Sequence, residues 1–162
     1  MPSVTAGWEN FFVAQAGASA ALSGLLFVAV SINLTRILQY PHLPGRAAET
    51  LVVLLSPLGV ATIGLVPGLD LRSLGIGLLL VWFVAWVVPT RLQLMDRKRE
   101  DPERRFVFRI LTGQLPTLPI GLAGLSLLLG FRGGLYFLVA GVFLAFSAGV
   151  VNAWVLLIEI LR

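Results

Sequence analysis

Five stretches of this 162-residue chain contain no charged residue, and each is long enough to cross a lipid bilayer as an α-helix. The hydrocarbon layer is about 30 Å thick, and a helix crosses it with about 20 mostly apolar residues. The charge-free stretches cover residues 10–35, 50–69, 73–90, 110–131 and 133–158. The pattern predicts an all-α fold, an integral membrane bundle of five transmembrane helices.

The composition agrees with a membrane location. Hydrophobic residues make up 57% of the chain and charged residues 12%, whereas a soluble domain carries about 25% charged residues. Five spans leave little chain for anything else, so we expect one transmembrane domain over residues 1–162. We also expect the first span to be retained, because its apolar run is too long for a signal-peptide core. The predicted spans are residues 10–35, 47–67, 73–92, 107–131 and 134–159, with a charged cytoplasmic loop at 93–106.

The basic residues predict the orientation. If the N-terminus is outside, ten of the twelve Lys and Arg residues lie on the inner side, and Arg72 and Arg132 lie outside. The positive-inside rule therefore favours an N-out, C-in topology. The net charge of +4 belongs to loops between apolar spans, so we expect no nucleic-acid partner. Contacts with anionic lipid headgroups are expected for the cations of the 93–106 loop, which are Arg97, Lys98, Arg99, Arg104 and Arg105.

Small residues recur every four positions in three of the predicted spans. Such residues let helix backbones approach closely inside a membrane, where polar side chains also join helices. We expect the amide of Asn152 to bond to a neighbouring helix, and we expect Pro116 and Pro119 to kink the fourth span. The predicted packing residues are Ala16, Ala20 and Gly24 in the first span, Gly113, Thr117 and Gly121 in the fourth, and Gly141, Ala145, Gly149 and Asn152 in the fifth.

A polar line runs beside the small residues of the first span. It consists of Gln15, Ser19 and Ser23, which share one side of a helix. One interpretation is that these side chains bond across a tight bundle or a subunit interface. The other is that several copies of the first span surround a narrow hydrophilic pore.

The titratable residues do not indicate catalysis. Glu49 follows Arg46 by three residues, and we expect it to complement the helix dipole in the first turn of the second span and to pair locally. His42 stands between two loop prolines without a Cys or His partner, so we expect no metal site. The chain contains no cysteine, which excludes disulfides and thiolate ligands. We therefore expect a protein that is not an enzyme and has no cofactor.

Residues 8–33 (WENFFVAQAGASAALSGLLFVAVSIN) and 43–49 (LPGRAAE) together resemble a group of small, uncharacterised bacterial inner-membrane proteins. The resemblance covers mainly the first two spans and implies a multi-pass protein of the bacterial inner membrane, without implying an activity. Residues 19–24 (SAALSG), with the Val-Ala that follows, are similar to the pore helix of Orai calcium channels. Those channels carry a carboxylate at the selectivity ring, whereas this stretch offers Val30, Ser31 and Ile32.

These observations favour a non-enzymatic membrane protein that works by helix packing. The first hypothesis is a structural or accessory subunit of a homo- or hetero-oligomeric membrane complex. Its expected partners are membrane lipids and either further copies of itself or other membrane subunits. The alternative is a homo-oligomeric ion channel or pore lined by the first helix.

Overall fold

The computed structural model describes residues 4–96, 110–111 and 113–161. This part of the chain forms helices and turns and contains no strand, so the predicted all-α class is confirmed. A 3-10 turn at Arg132–Leu135 precedes the last helix. The helices are α1 (Glu9–Ile32), α2 (Leu34–Ile37), α3 (Leu43–Gly64), α4 (Leu71–Asp96), α5 (Leu118–Leu128) and α6 (Tyr136–Leu161).

Among the residues that the structure describes, four segments are long and apolar enough to cross a membrane: Glu9–Ile32, Leu43–Gly64, Leu71–Met95 and Gly133–Glu159. They correspond to the first, second, third and fifth predicted spans. Large apolar side chains cover their outward surfaces, as shown by Ile32, which is 78% exposed. An apolar surface of this extent is stable against lipid and unfavourable in water. The chain is therefore a multi-pass membrane protein.

The fourth predicted span, residues 107–131, is not one continuous helix. Residues 113–114 are helical, residues 115–117 form a turn, and α5 then covers eleven residues. A helix of that length spans about 16 Å, well short of the hydrocarbon layer. The turn lies where Pro116 and Pro119 predict a break, because proline lacks the N–H that continues a helix. Thr117 instead donates its hydroxyl to the carbonyl of Gln114 at 2.9 Å.

The connection between α1 and α3 is shorter than the sequence indicates. We predicted the second span from residue 47, but α3 begins at Leu43 and includes Pro44 in its first turn. Proline is accepted there because the first N–H groups of a helix have no intrahelical partner. The loop after α3 turns at Gly68, whose φ of +74° is readily reached by glycine. Asp70 then accepts a hydrogen bond from the amide of Arg72 at the start of α4.

The helix α4 also extends further than predicted. It reaches Asp96, so the first residues of the predicted 93–106 loop are helical. The five predicted headgroup cations of that loop lie outside the described residues, and their lipid contacts stay a prediction.

The central helix of the bundle is α3, which packs against α1, α4 and α6, while α5 packs against α4 and α6. Two apolar clusters fill the two ends of the bundle. The cluster at the Trp8 end, where α1 begins, contains Phe12, Val60, Ala61, Leu74, Leu78, Ile120, Ala123, Leu127, Leu135 and Leu138. The cluster at the Arg46 end, where α3 begins, contains Leu26, Ile37, Leu43, Ala47, Leu54 and Leu156.

Candidate functional site

The polar line of α1 faces α3 within the same chain. Gln15, Ser19 and Ser23 are 4%, 0% and 6% exposed, and they share this buried side with Phe12 and Leu26. Their spacing of three or four residues places them on one face of the helix. The Ser19 hydroxyl donates a hydrogen bond to the backbone carbonyl of Leu54 in α3. In a single chain the line therefore belongs to the contact between α1 and α3.

This contact leaves several polar atoms unsatisfied. Among the described residues, neither the Nε2 nor the Oε1 atom of Gln15 has a hydrogen-bond partner, and the hydroxyl of Ser23 has none either. A buried polar group without a partner costs about 1–3 kcal/mol. The polar face of α1 thus makes one interhelical hydrogen bond, at Ser19. The polar side chains on either side of it, Gln15 and Ser23, are buried without hydrogen bonds among the described residues.

The opposite side of α1 is exposed and consists largely of small residues. We call it the outward face of α1, and it comprises Ala14, Gly17, Ala18, Ala21 and Gly24. Within the described part of the chain, no atom lies within 4 Å of the position that a Cβ would take at Gly17 or Gly24. Close approach of a further helix is therefore sterically open along this face.

The small residues predicted at intervals of four do not stay on one side of α1. Each residue turns an α-helix by about 100°, so four residues overshoot a full turn by about 40°. The line consequently passes from Ala16, which packs partly against the Trp8-end cluster, to Ala20 and Gly24, which are exposed. The outward face could have been found from mixed spacings of three and four residues, which follow the helix more closely.

The other predicted packing residues lie inside the chain. Gly121 lies against Trp82, whose ring would be 2.9 Å from an added Cβ, and a Cβ at Gly149 would collide with the side chain of Leu54. Asn152 is 7% exposed, and its expected bond to a neighbouring helix stays a prediction. The residues of this set that are largely withdrawn from the surface are Gly113, Thr117, Gly121, Gly141, Ala145, Gly149 and Asn152.

Sequence reasoning did not identify one close backbone contact between α4 and α5. At Gly75, an added Cβ would lie 2.9 Å from the carbonyl oxygen of Gly124, so the two backbones nearly touch. Both glycines stand in apolar runs that contain many glycines. The sequence carries no signal that pairs these two.

A polar cluster joins three helices at the Arg46 end. Nη1 of Arg46 in α3 donates to both carboxylate oxygens of Glu159 in α6, at 2.9 and 3.0 Å. The expected local pairing of Arg46 with Glu49 is thus wrong, because the cation bonds a residue 113 positions away. Glu49 is also not in the first helical turn, since α3 begins six residues earlier, at Leu43. It is 4% exposed, and Gln93 of α4 donates to it at 3.4 Å.

Hydrogen bonds near the same end of α4 join it to Gln114, which lies in the segment before α5. Nε2 of Gln114 donates to the hydroxyl of Thr90 at 2.6 Å, and it also reaches the carbonyl of Trp86 at 3.3 Å. The position of a Cβ on Gly113 lies 2.8 Å from Nε2 of Gln93, so a larger residue there would have to displace that flexible side chain. These bonds fix the interrupted helix against α4. Among the described residues, no three His, Cys, Asp or Glu side chains group as metal ligands do.

An apolar groove separates α1 from α6 toward the Arg46 end. Both helices pack on α3, but they make little contact with each other, and a space of about 330 Å³ remains between them. Leu54 of α3 forms part of its lining, and Asn33 is its polar lining residue. The groove is lined by Leu22, Leu25, Leu26, Ala29, Val30, Asn33, Leu54, Gly149, Val150, Ala153, Trp154, Leu156 and Leu157.

Comparison with protein-family models, with curated proteins and with solved structures gives no match. The function of the chain therefore has to be inferred from the three surfaces described above: the two faces of α1 and the groove beside it.

Proposed function

We propose that the protein is a non-enzymatic subunit of an oligomeric membrane complex and that it associates through the outward face of α1. The observation that carries this proposal is that this face is rich in small residues and exposed. At Gly17 and Gly24, no atom of the residues that the structure describes lies within 4 Å of the position of a Cβ. Inside a membrane, where lipid is as apolar as the helices, such a face favours close helix contact through van der Waals packing.

Packing in the rest of the bundle supports α1 as the helix that binds a partner. The small residues predicted on the fourth and fifth spans are largely used for packing within the chain, for instance Gly121 on Trp82 and Gly149 on Leu54. On α1, by contrast, intrachain packing uses chiefly the polar face. A partner helix can therefore bind α1 without displacing any part of the bundle.

We further propose that the chain crosses the bacterial inner membrane five times, with its N-terminus outside and its C-terminus inside. The distribution of Lys and Arg supports the orientation. The resemblance of residues 8–33 and 43–49 supports the bacterial inner membrane. The fifth crossing is supported by the apolar stretch 110–131. Helical residues at 113–114 precede the proline turn and α5 follows it, so the helical part of the stretch is longer than α5 alone.

The absence of cysteine makes the topology directly testable. Single cysteines placed at Ser3 and at Arg162 should react with a membrane-impermeant maleimide from opposite sides of sealed vesicles. Reaction of both from one side would contradict an odd number of crossings.

The alternative of a pore lined by α1 fits the arrangement less well. It requires Gln15, Ser19 and Ser23 to face a pathway between copies, whereas all three are buried within a single chain. Their exposure would require α1 to turn or to leave the bundle, with loss of the bond from Ser19 to Leu54. Ion flux through liposomes that contain the protein, blocked by Ser19→Leu, would favour the pore.

The experiment that tests the subunit proposal measures the mass of the protein extracted from its own membrane in mild detergent. The wild type should exceed the 17.5 kDa of one chain, and the double variant Gly17→Leu, Ala21→Leu should fall to that mass. The matched control is Ala140→Leu, an exposed alanine of α6, which should leave the mass unchanged. A wild type already at 17.5 kDa, or a complex indifferent to the double variant, would overturn the proposal.

Gly149→Leu does not test assembly, because it changes packing inside the single chain. Its side chain would collide with Leu54 inside the chain, so it disrupts the fold itself. At Gly24 the position of a Cβ is open among the described residues, so Gly24→Leu reports on assembly.

A further inference from the structure

The groove between α1 and α6 is apolar along its length and has a polar end. The α1 residues that line the groove run from Leu22 to Asn33. The side-chain amide of Asn33 donates to the carbonyl of Ala29 at 2.9 Å. The short helix α2 follows directly. Its Ile37 belongs to the same buried cluster as Leu26 and Leu54, two residues that line the groove. The helix α2 therefore lies at the Asn33 end of the groove.

A cation stands at this end. Arg36 precedes Ile37, is exposed, and makes no ion pair among the described residues. Arg46, at the same end of the bundle, is already bound to Glu159. The groove is thus apolar and open at the side, and the exposed Arg36 belongs to the short helix that follows its Asn33 end.

We propose that the groove binds one acyl chain of an anionic phospholipid, with the lipid phosphate at Arg36. The apolar lining matches the chain, and the guanidinium group matches the phosphate in charge and in hydrogen-bond geometry. The volume of about 330 Å³ falls in the range of small-ligand sites, about 300–1,000 Å³. In the proposed orientation, this end of the bundle meets the inner leaflet.

The groove is a poorer match for a helix of a partner or of a second copy. Helices associate in membranes through small residues that allow close approach. The walls here are mostly bulky, with Leu22, Leu25, Leu26 and Val30 on α1 and Val150, Trp154 and Leu157 on α6. A flexible acyl chain can follow a narrow space between such side chains, whereas a rigid helix cannot enter it. The lipid site requires membrane insertion but not assembly through the outward face of α1.

The test measures lipids retained by the purified protein in native mass spectrometry. The protein is reconstituted with equal amounts of phosphatidylglycerol and phosphatidylcholine. The wild type should retain one phosphatidylglycerol in preference to phosphatidylcholine. Arg36→Gln should lower that retention about five-fold, which corresponds to about 1 kcal/mol for one basic residue beside an anionic lipid. The matched control Arg91→Gln removes an exposed cation from α4 and should leave retention unchanged.

A second variant tests the apolar part of the site. Ala29→Trp fills the groove from an exposed position of α1, and it should abolish retention of the lipid. Ala153→Phe fills it from the α6 wall, and Ala140→Trp is the control on an exposed position outside the groove. Equal retention of both lipids by the wild type, or retention unaffected by Arg36→Gln and by both groove-filling variants, would overturn the proposal. The mass of the assembly, measured on the same samples, separates a failure of this site from a failure of the subunit proposal.

Discussion

The two faces of α1 differ in both chemistry and environment. Toward α3, the helix buries Gln15, Ser19 and Ser23. Away from α3, it exposes alanines and glycines, followed by large apolar residues such as Leu25 and Val28, which are 69% and 53% exposed. A helix on the surface of a soluble protein has the opposite arrangement, with its apolar stripe toward the core.

The polar side of α1 faces inward and its apolar side faces outward because lipid, not water, surrounds the bundle. A polar side chain cannot find water at the depth of the hydrocarbon layer, so it is placed against a neighbouring helix, where a carbonyl such as that of Leu54 is available. The inward face of α1 therefore serves the fold of one chain. The outward face, which contributes little to that fold, is free to contact lipid or a partner helix.

The largest expected effect that separates the two faces comes from Gly64 of α3, which lies close against the inward face of α1. An added Cβ would lie 2.7 Å from the ring of Phe12, which is fully buried. Gly64→Leu should lower the free energy of unfolding by about 3 kcal/mol, because overpacking a close contact forces strain on both helices. Thermal unfolding in detergent measures it. The control is Gly24→Leu on the outward face, and a loss of stability as large in that control would contradict the assignment of the faces.

The hydropathy pattern contained enough information to predict four of the membrane helices. Charge-free stretches of about 20 residues have few other stable conformations, so the first, second, third and fifth spans were located to within a few residues. The boundaries were harder. Pro44 reads as a loop residue, yet it lies in the first turn of α3, where its missing N–H costs little.

Contacts between distant residues were the least predictable part of the candidate site. Arg46 has a carboxylate three residues away in Glu49, but it bonds Glu159 because α3 and α6 lie side by side. Likewise, the polar line of α1 was recognised from its spacing. Which helix it faces depends on the arrangement of the whole bundle, and a single sequence without known contacts does not contain that arrangement.

The second prediction concerns the unsatisfied amide of the inward face. Gln15→Leu keeps a similar volume and removes two buried atoms that have no hydrogen-bond partner. The free energy of unfolding should therefore rise by about 1 kcal/mol, at the low end of the cost of such groups. Gln39→Leu, in the exposed turn after α2, is the control and should change little. A fall in stability for Gln15→Leu would mean that the amide has a binding partner, and it would strengthen the pore alternative.

The smallest effect is expected at Ser19, whose hydroxyl makes the interhelical hydrogen bond of the inward face. Ser19→Ala should lower the free energy of unfolding by about 0.6 kcal/mol, the average measured for such bonds in membranes. Ser31 provides a matched control on the same helix, because its hydroxyl donates to the carbonyl of Phe27 one turn earlier and is exposed. Ser31→Ala should leave the thermal midpoint unchanged, since its bond joins no second helix. Equal losses at the two serines would show that the polar face of α1 adds nothing specific to its contact with α3, and they would remove the distinction between the two faces.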